Sequence, residues 1–126
     1  MSSRVEELAK TLRDLERRNS DIEASALVSS DGLVIASALP SEVDEAKVAA
    51  MTAAIQSVAE RVAAELGRGR NVMTYIEGTE GGILITNVTE EVLLSVVLRP
   101  GAKLGLALFD ARSYSKKLKR ILLESE

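Results

Sequence analysis

The sequence predicts an α/β (α+β) sandwich, a five-stranded antiparallel sheet with one long helix on one face and two helices on the other. Three observations predict it. Apolar residues recur at three- and four-residue spacing in three stretches, at the start, middle and end of the chain. Five short apolar runs bounded by turn residues read as strands. Runs such as Ile83–Thr86 and Val92–Leu98 are apolar on both sides, so the sheet needs cover on both faces. With 126 residues, 46% hydrophobic and 28% charged, the chain fits one soluble domain over residues 1–126 with its own core.

Each element has a local reason. Val5, Leu8, Leu12 and Leu15 alternate with charges, giving a helix from about Ser3 to Arg18 that Asn19-Ser20-Asp21 ends. Two strands follow, Ile22–Val28 and Leu33–Ala38, joined by Ser29-Ser30-Asp31-Gly32, whose Asp-Gly step marks a hairpin. Pro40-Ser41 breaks the chain, and Ser41 or Asp44 can cap a long helix over Glu42–Gly67, which Gly67 and Gly69 close. Three strands, Asn71–Glu77, Gly82–Val88 and Val92–Arg99, have short connections and form an antiparallel meander. After Pro100-Gly101 a last helix runs from about Leu104 to Glu124, with Ala107, Ala111, Tyr114, Leu118, Ile121 and Leu122 on its apolar face.

The long helix has two faces that both read as buried. Val48, Met51, Ile55, Val58, Val62 and Leu66 form the stripe expected to pack on the core. Ala46, Ala50, Ala53, Ser57 and Ala64 lie opposite, small enough to let another chain approach. Glu60 and Arg61 interrupt that small face as a solvated pair or as the polar rim of a contact patch. The third strand, with Val72, Thr74 and Ile76 alternating with Met73 and Tyr75, has no proline and no inward lysine. At a sheet edge it lacks the usual protection against pairing. Edge and helix together favour a two-fold dimer that joins the two sheets and packs the long helices side by side.

Composition excludes much chemistry. There is no cysteine and no histidine, so thiol nucleophiles, thiolate metal sites and the commonest general base are missing. Net charge is −3 and aromatic content 2%, against nucleic acid as the main partner. Met1-Ser2-Ser3-Arg4 leads directly into charged helix and no run approaches a membrane span, so a cytoplasmic protein without a transmembrane segment is expected. The glycines at Gly67-Arg68-Gly69 and Gly78–Gly82 lack the Lys-Ser/Thr ending of a phosphate loop and read as turns. Asn87-Val88-Thr89 reads as the shoulder of a hairpin. Glu42, Asp44 and Glu45 suit the dipole at a helix start. Lys116, Lys117, Lys119 and Arg120 suit the end of the last helix, with a weak contact to an acidic membrane or protein as the alternative. Phe109, the only phenylalanine, projects to that basic side, to pack under the first helix or to anchor a partner.

Several segments resemble the Roadblock family, named for a dynein light chain. They are Leu12-Arg13-Asp14-Leu15, the strand-turn-strand Ala26–Ala36 with Ser30-Asp31-Gly32-Leu33-Val34-Ile35-Ala36, the alanine-rich helix, and Leu98-Arg99-Pro100-Gly101-Ala102-Lys103-Leu104-Gly105. The resemblance covers essentially the whole chain. It implies a Roadblock/profilin-like sandwich, dimerising through the third strand and second helix. In this chain the interface would comprise Ala46, Ala50, Ala53, Ser57, Val72, Thr74 and Ile76. It also implies a small Ras-like GTPase as partner, bound on the joined helices at Ser57, Glu60, Arg61 and Ala64. Some members are GTPase-activating proteins and others scaffolds. No catalytic, cofactor or metal residue carries over, so an adaptor and not an enzyme is expected. Arg61, Arg68 and Arg70 are not read as an arginine supplied to a GTPase. The sequence ends with the third helix, so the extra C-terminal segment of some GTPase-activating members is not expected. The alternatives are a nucleotide-independent scaffold of a motor or signalling assembly and a small-molecule-sensing module.

Overall fold

The computed structural model describes residues 3–124. Eight elements follow in order: α1 (Arg4–Arg18), β1 (Ile22–Ser29), β2 (Val34–Ala38), α2 (Glu45–Glu65), β3 (Met73–Gly78), β4 (Gly81–Asn87), β5 (Val92–Leu98) and α3 (Leu104–Leu123). The five strands form one antiparallel sheet in the order β2-β1-β5-β4-β3. The expected meander is its β3-β4-β5 half. The pairing of β1 with β5, Leu27 opposite Leu94, joins it to the first hairpin.

The ends of the elements follow from local chemistry. Ser3 accepts from the Glu6 amide at 3.1 Å while Glu6 accepts from the Ser3 amide at 2.9 Å, a reciprocal cap on α1. Asp44, and not Ser41, caps α2 by accepting from the Lys47 amide at 3.2 Å, so that helix starts later than Glu42. Gly67 ends it with φ +67°, its amide donating to the Ala64 carbonyl while the Arg68 amide reaches Ala63. Gly32 turns the first hairpin at φ +90°, a conformation a side chain would strain. The Val88 and Thr89 amides both donate to the Val92 carbonyl, which confirms the β4–β5 hairpin at the Asn87 triplet.

The sheet separates two unequal layers. On one face α1 and α3 pack large side chains, with Leu8, Leu12, Leu15, Leu27, Leu94 and Leu118 fully buried. On the other face α2 meets small ones: Ala26, Val28 and Ala49 form the buried cluster, with Val34 and Leu39 at its margin. Ile85 and Leu93 are buried on the same face of the sheet, in register with Ala26 and Val28.

One expectation is overturned at this point. The large apolar stripe of the long helix does not pack on the core. Met51 is 52% exposed, Val58 62%, Val62 51% and Leu66 67%, while Val48 and Ile55 are half-buried. The residues that face inward are Ala49, Thr52 and Gln56. Helical periodicity groups residues onto a face without saying which face looks inward, and here the small and polar side fits the sheet.

Candidate functional site

The site is the outer surface of α2 with the neighbouring edge strand β3. What holds the helix in place is polar. Gln56 donates to Glu60 at 3.1 Å and to the Asn87 side chain at 3.2 Å, and accepts from Asn71 at 3.1 Å. Asn87 donates to the Asn71 carbonyl at 2.9 Å. Glu60 accepts from the Asn71 amide at 3.2 Å and from Arg70 Nε at 3.3 Å. The hydrogen bond from Arg70, then that from Asn71, holds the Glu60 carboxyl below the usual carboxylate range. No buried side-chain nitrogen or oxygen among the described residues lacks a partner, so this seat is fully satisfied.

With its polar side engaged, α2 turns its apolar side outward. Ile55, Val58 and Ala59 meet Thr74 of β3 in a shallow apolar groove between helix and edge strand. Further along, Val58, Arg61, Val62, Glu65 and Leu66 border a second groove. β3 is indeed a sheet edge, with Ile76 exposed and Thr74 half-buried, and Val72 just before it is exposed. Apolar helix surface and unpaired backbone are therefore contiguous.

The residues singled out from sequence divide. Thr74 and Ile76 lie on β3, the sheet edge, while Val72 precedes the strand. The alanine line lies elsewhere. A Cβ at Gly32 would stand 3.6 Å from Ala50 Cα and 3.7 Å from Ala53 Cβ, so these alanines rest over the β1–β2 turn. Ala53 is half-buried there, Ala46, Ser57 and Ala64 are exposed, and the large stripe, not the small one, neighbours β3. Glu60 is tied within the chain, and Arg61 is exposed at the second groove. Spacing alone places Ile55, Val58 and Val62 on the core face. The polar contacts of Gln56 with Asn71 and Asn87, which lie 15 and 31 positions away, fix the inward side, and no local spacing signals them.

Among the described residues no cluster of His, Cys, Asp or Glu is arranged to hold a metal ion. No described helix is long and apolar enough to cross a membrane.

The geometry defines a small α+β sandwich whose central helix presents its apolar side beside an open sheet edge. The chain belongs to the Roadblock/LC7 domain family, whose profile matches residues 8–98. Two uncharacterised proteins of Methanocaldococcus jannaschii are each 41% identical over 98 residues, covering 78% of this chain and 85% of their own. Among solved structures, the gliding protein MglB of Thermus thermophilus superposes with a TM-score of 0.88 at 22% identity, covering 99% of this chain and 95% of its own. Profilin IB of Acanthamoeba castellanii shares the fold at a TM-score of 0.66 and 14% identity, covering 90% and 97%.

Proposed function

We propose that this chain is a cytoplasmic, homodimeric adaptor that binds a small Ras-like GTPase and regulates it, with no chemistry of its own. Membership of the Roadblock/LC7 family supports the partner class. The observation that carries the reading is the outward apolar stripe of α2 beside the unpaired β3 edge. Contiguous exposed apolar surface of this kind marks an interaction site.

The dimer contact is assigned to Ile55, Val58, the β3 positions Thr74 and Ile76, and Val72 just before that strand. The alanine line is left to the first hairpin. Two copies related by a two-fold axis would pair β3 with β3 and cover the groove at Val58. Arg61, Val62 and Leu66, beyond that groove, are assigned to the GTPase. The mechanism is non-covalent: a surface that fits one switch state better shifts the population toward it, and positioning the GTPase's own residues stimulates hydrolysis.

Val58→Arg tests the assignment. Sedimentation equilibrium is expected to find a wild-type dimer and a folded Val58→Arg monomer with an unchanged circular dichroism spectrum. Capture from lysate with a non-hydrolysable GTP analogue or with GDP is expected to recover a small GTPase in the first alone. Equal recovery would favour the nucleotide-independent scaffold. A Val58→Arg protein that still dimerises would refute the contact assigned here.

A further inference from the structure

On the side of the sheet opposite α2, α3 buries Ala107, Ala111, Tyr114 and Leu118 and turns a different surface to solvent. Leu106, Phe109, Arg112, Lys116 and Arg120 are all exposed. At about 100° per residue, Phe109, Lys116 and Arg120 fall within about 20° of one line along the helix. Phe109 is 63% exposed, so it is not packed under the first helix. The only carboxylate between Leu104 and Leu123 is Asp110, which is buried and held by Arg18 and Asn19. Among the described residues Arg112, Lys116, Lys119 and Arg120 form no ion pair, and Lys117 stands over the Tyr114 ring at 4.3 Å. A wholly cationic helix face is therefore concentrated on one side of a chain of net charge −3.

The helix dipole accounts for cations in the last turn only. It does not account for Arg112 in mid-helix or for the solvated Phe109 and Leu106. A helix face with four unpaired cations, no exposed carboxylate and the exposed side chains of Leu106 and Phe109 is complementary in charge to an anionic lipid headgroup layer. We propose that α3 docks the domain on an anionic lipid surface. Phe109 and Leu106 enter the headgroup layer, and Arg112, Lys116 and Arg120 meet lipid phosphates. The contact is reversible, since a single surface helix without a lipid chain supplies only modest anchoring. It is independent of the function assigned to α2, because the sheet stands between the two helices and leaves α2 open to its partner.

Flotation with vesicles of phosphatidylcholine alone, and of phosphatidylcholine mixed equally with phosphatidylglycerol, tests the proposal on the full chain. Binding is expected to the mixed vesicles only and to fall as salt is raised. Lys116→Glu with Arg120→Glu is expected to weaken it by about 30-fold or more, at roughly tenfold or less per lost cation plus repulsion. Phe109→Ala is expected to weaken it by about tenfold through lost apolar burial. All three positions are exposed, and a circular dichroism melt checks that each variant stays folded. Equal binding to both vesicle types, or an unchanged double variant, overturns the proposal. Retention of the chain on immobilised polyglutamate without vesicle binding also overturns it, in favour of an acidic protein.

Discussion

Glu60 shows how a single side chain reads differently in sequence and in space. Along the chain it is a charge beside Arg61 on a small-residue face. In the fold it accepts from Gln56, Arg70 and the Asn71 amide, and so fastens the turn after α2 to the helix. Local spacing shows only the Gln56–Glu60 contact, because the other members are distant: Gln56 and Asn87 are 31 positions apart. The lowered Glu60 carboxyl fixes the sign of its pH effect. A folded value below the unfolded one contributes stability above the unfolded value, and that contribution is lost as pH falls through the folded one. Glu60→Gln is therefore expected to cost about 1 kcal/mol at neutral pH and almost nothing once wild-type Glu60 is protonated, as urea midpoints at both pH values will show. Glu16 acts in the opposite sense. Burial raises its carboxyl despite the 2.7 Å hydrogen bond donated by Ser25, so it opposes folding as pH rises through the ordinary carboxylate range.

At the scale of elements, strands and helices were legible to within a few residues, because caps, turn glycines and apolar runs are local signals. The first hairpin is written in Ser30-Asp31-Gly32 and the last helix in the spacing of Ala107, Ala111, Tyr114 and Leu118. The orientation of α2 was not legible. Its inward side is held by Ala49 against Ala26 and Val28 and by the Gln56 hydrogen bonds to Asn71 and Asn87, tertiary contacts that outweigh the apolar stripe. The join between α1 and α3 was equally hidden. Asp110 is buried with Arg18 Nε at 3.1 Å and Asn19 Nδ2 at 3.0 Å, and so links the end of one helix to the start of the other. Asp110→Ala is expected to cost about 1–3 kcal/mol, mainly through the stranded Asn19 amide. Arg18 is itself largely exposed and returns to water, which keeps the loss below that of a fully buried pair. A thermal melt checks it, and an unchanged midpoint would remove Asp110 from the joint.

For the whole molecule, the sheet acts as a partition. One side is filled by α1, α3 and the large core; the other carries one helix held by small side chains and a polar seat. Family membership and sheet architecture could be read from the sequence, whereas the surface that α2 offers could not. The inequality of the two layers has a consequence in time. Local opening takes its free energy from the burial it undoes, so segments with little buried surface exchange their amide hydrogens first. The amides of α2 are expected to exchange with deuterium well before those of α1, β1 and β5 in an isolated protomer. Exchange followed by mass spectrometry checks this, and equal protection of α2 and β5 would contradict it. Occupation of the outer surface should then register chiefly as slowed exchange in α2. The helix that meets a partner would also be the part of the molecule whose lifetime that partner sets.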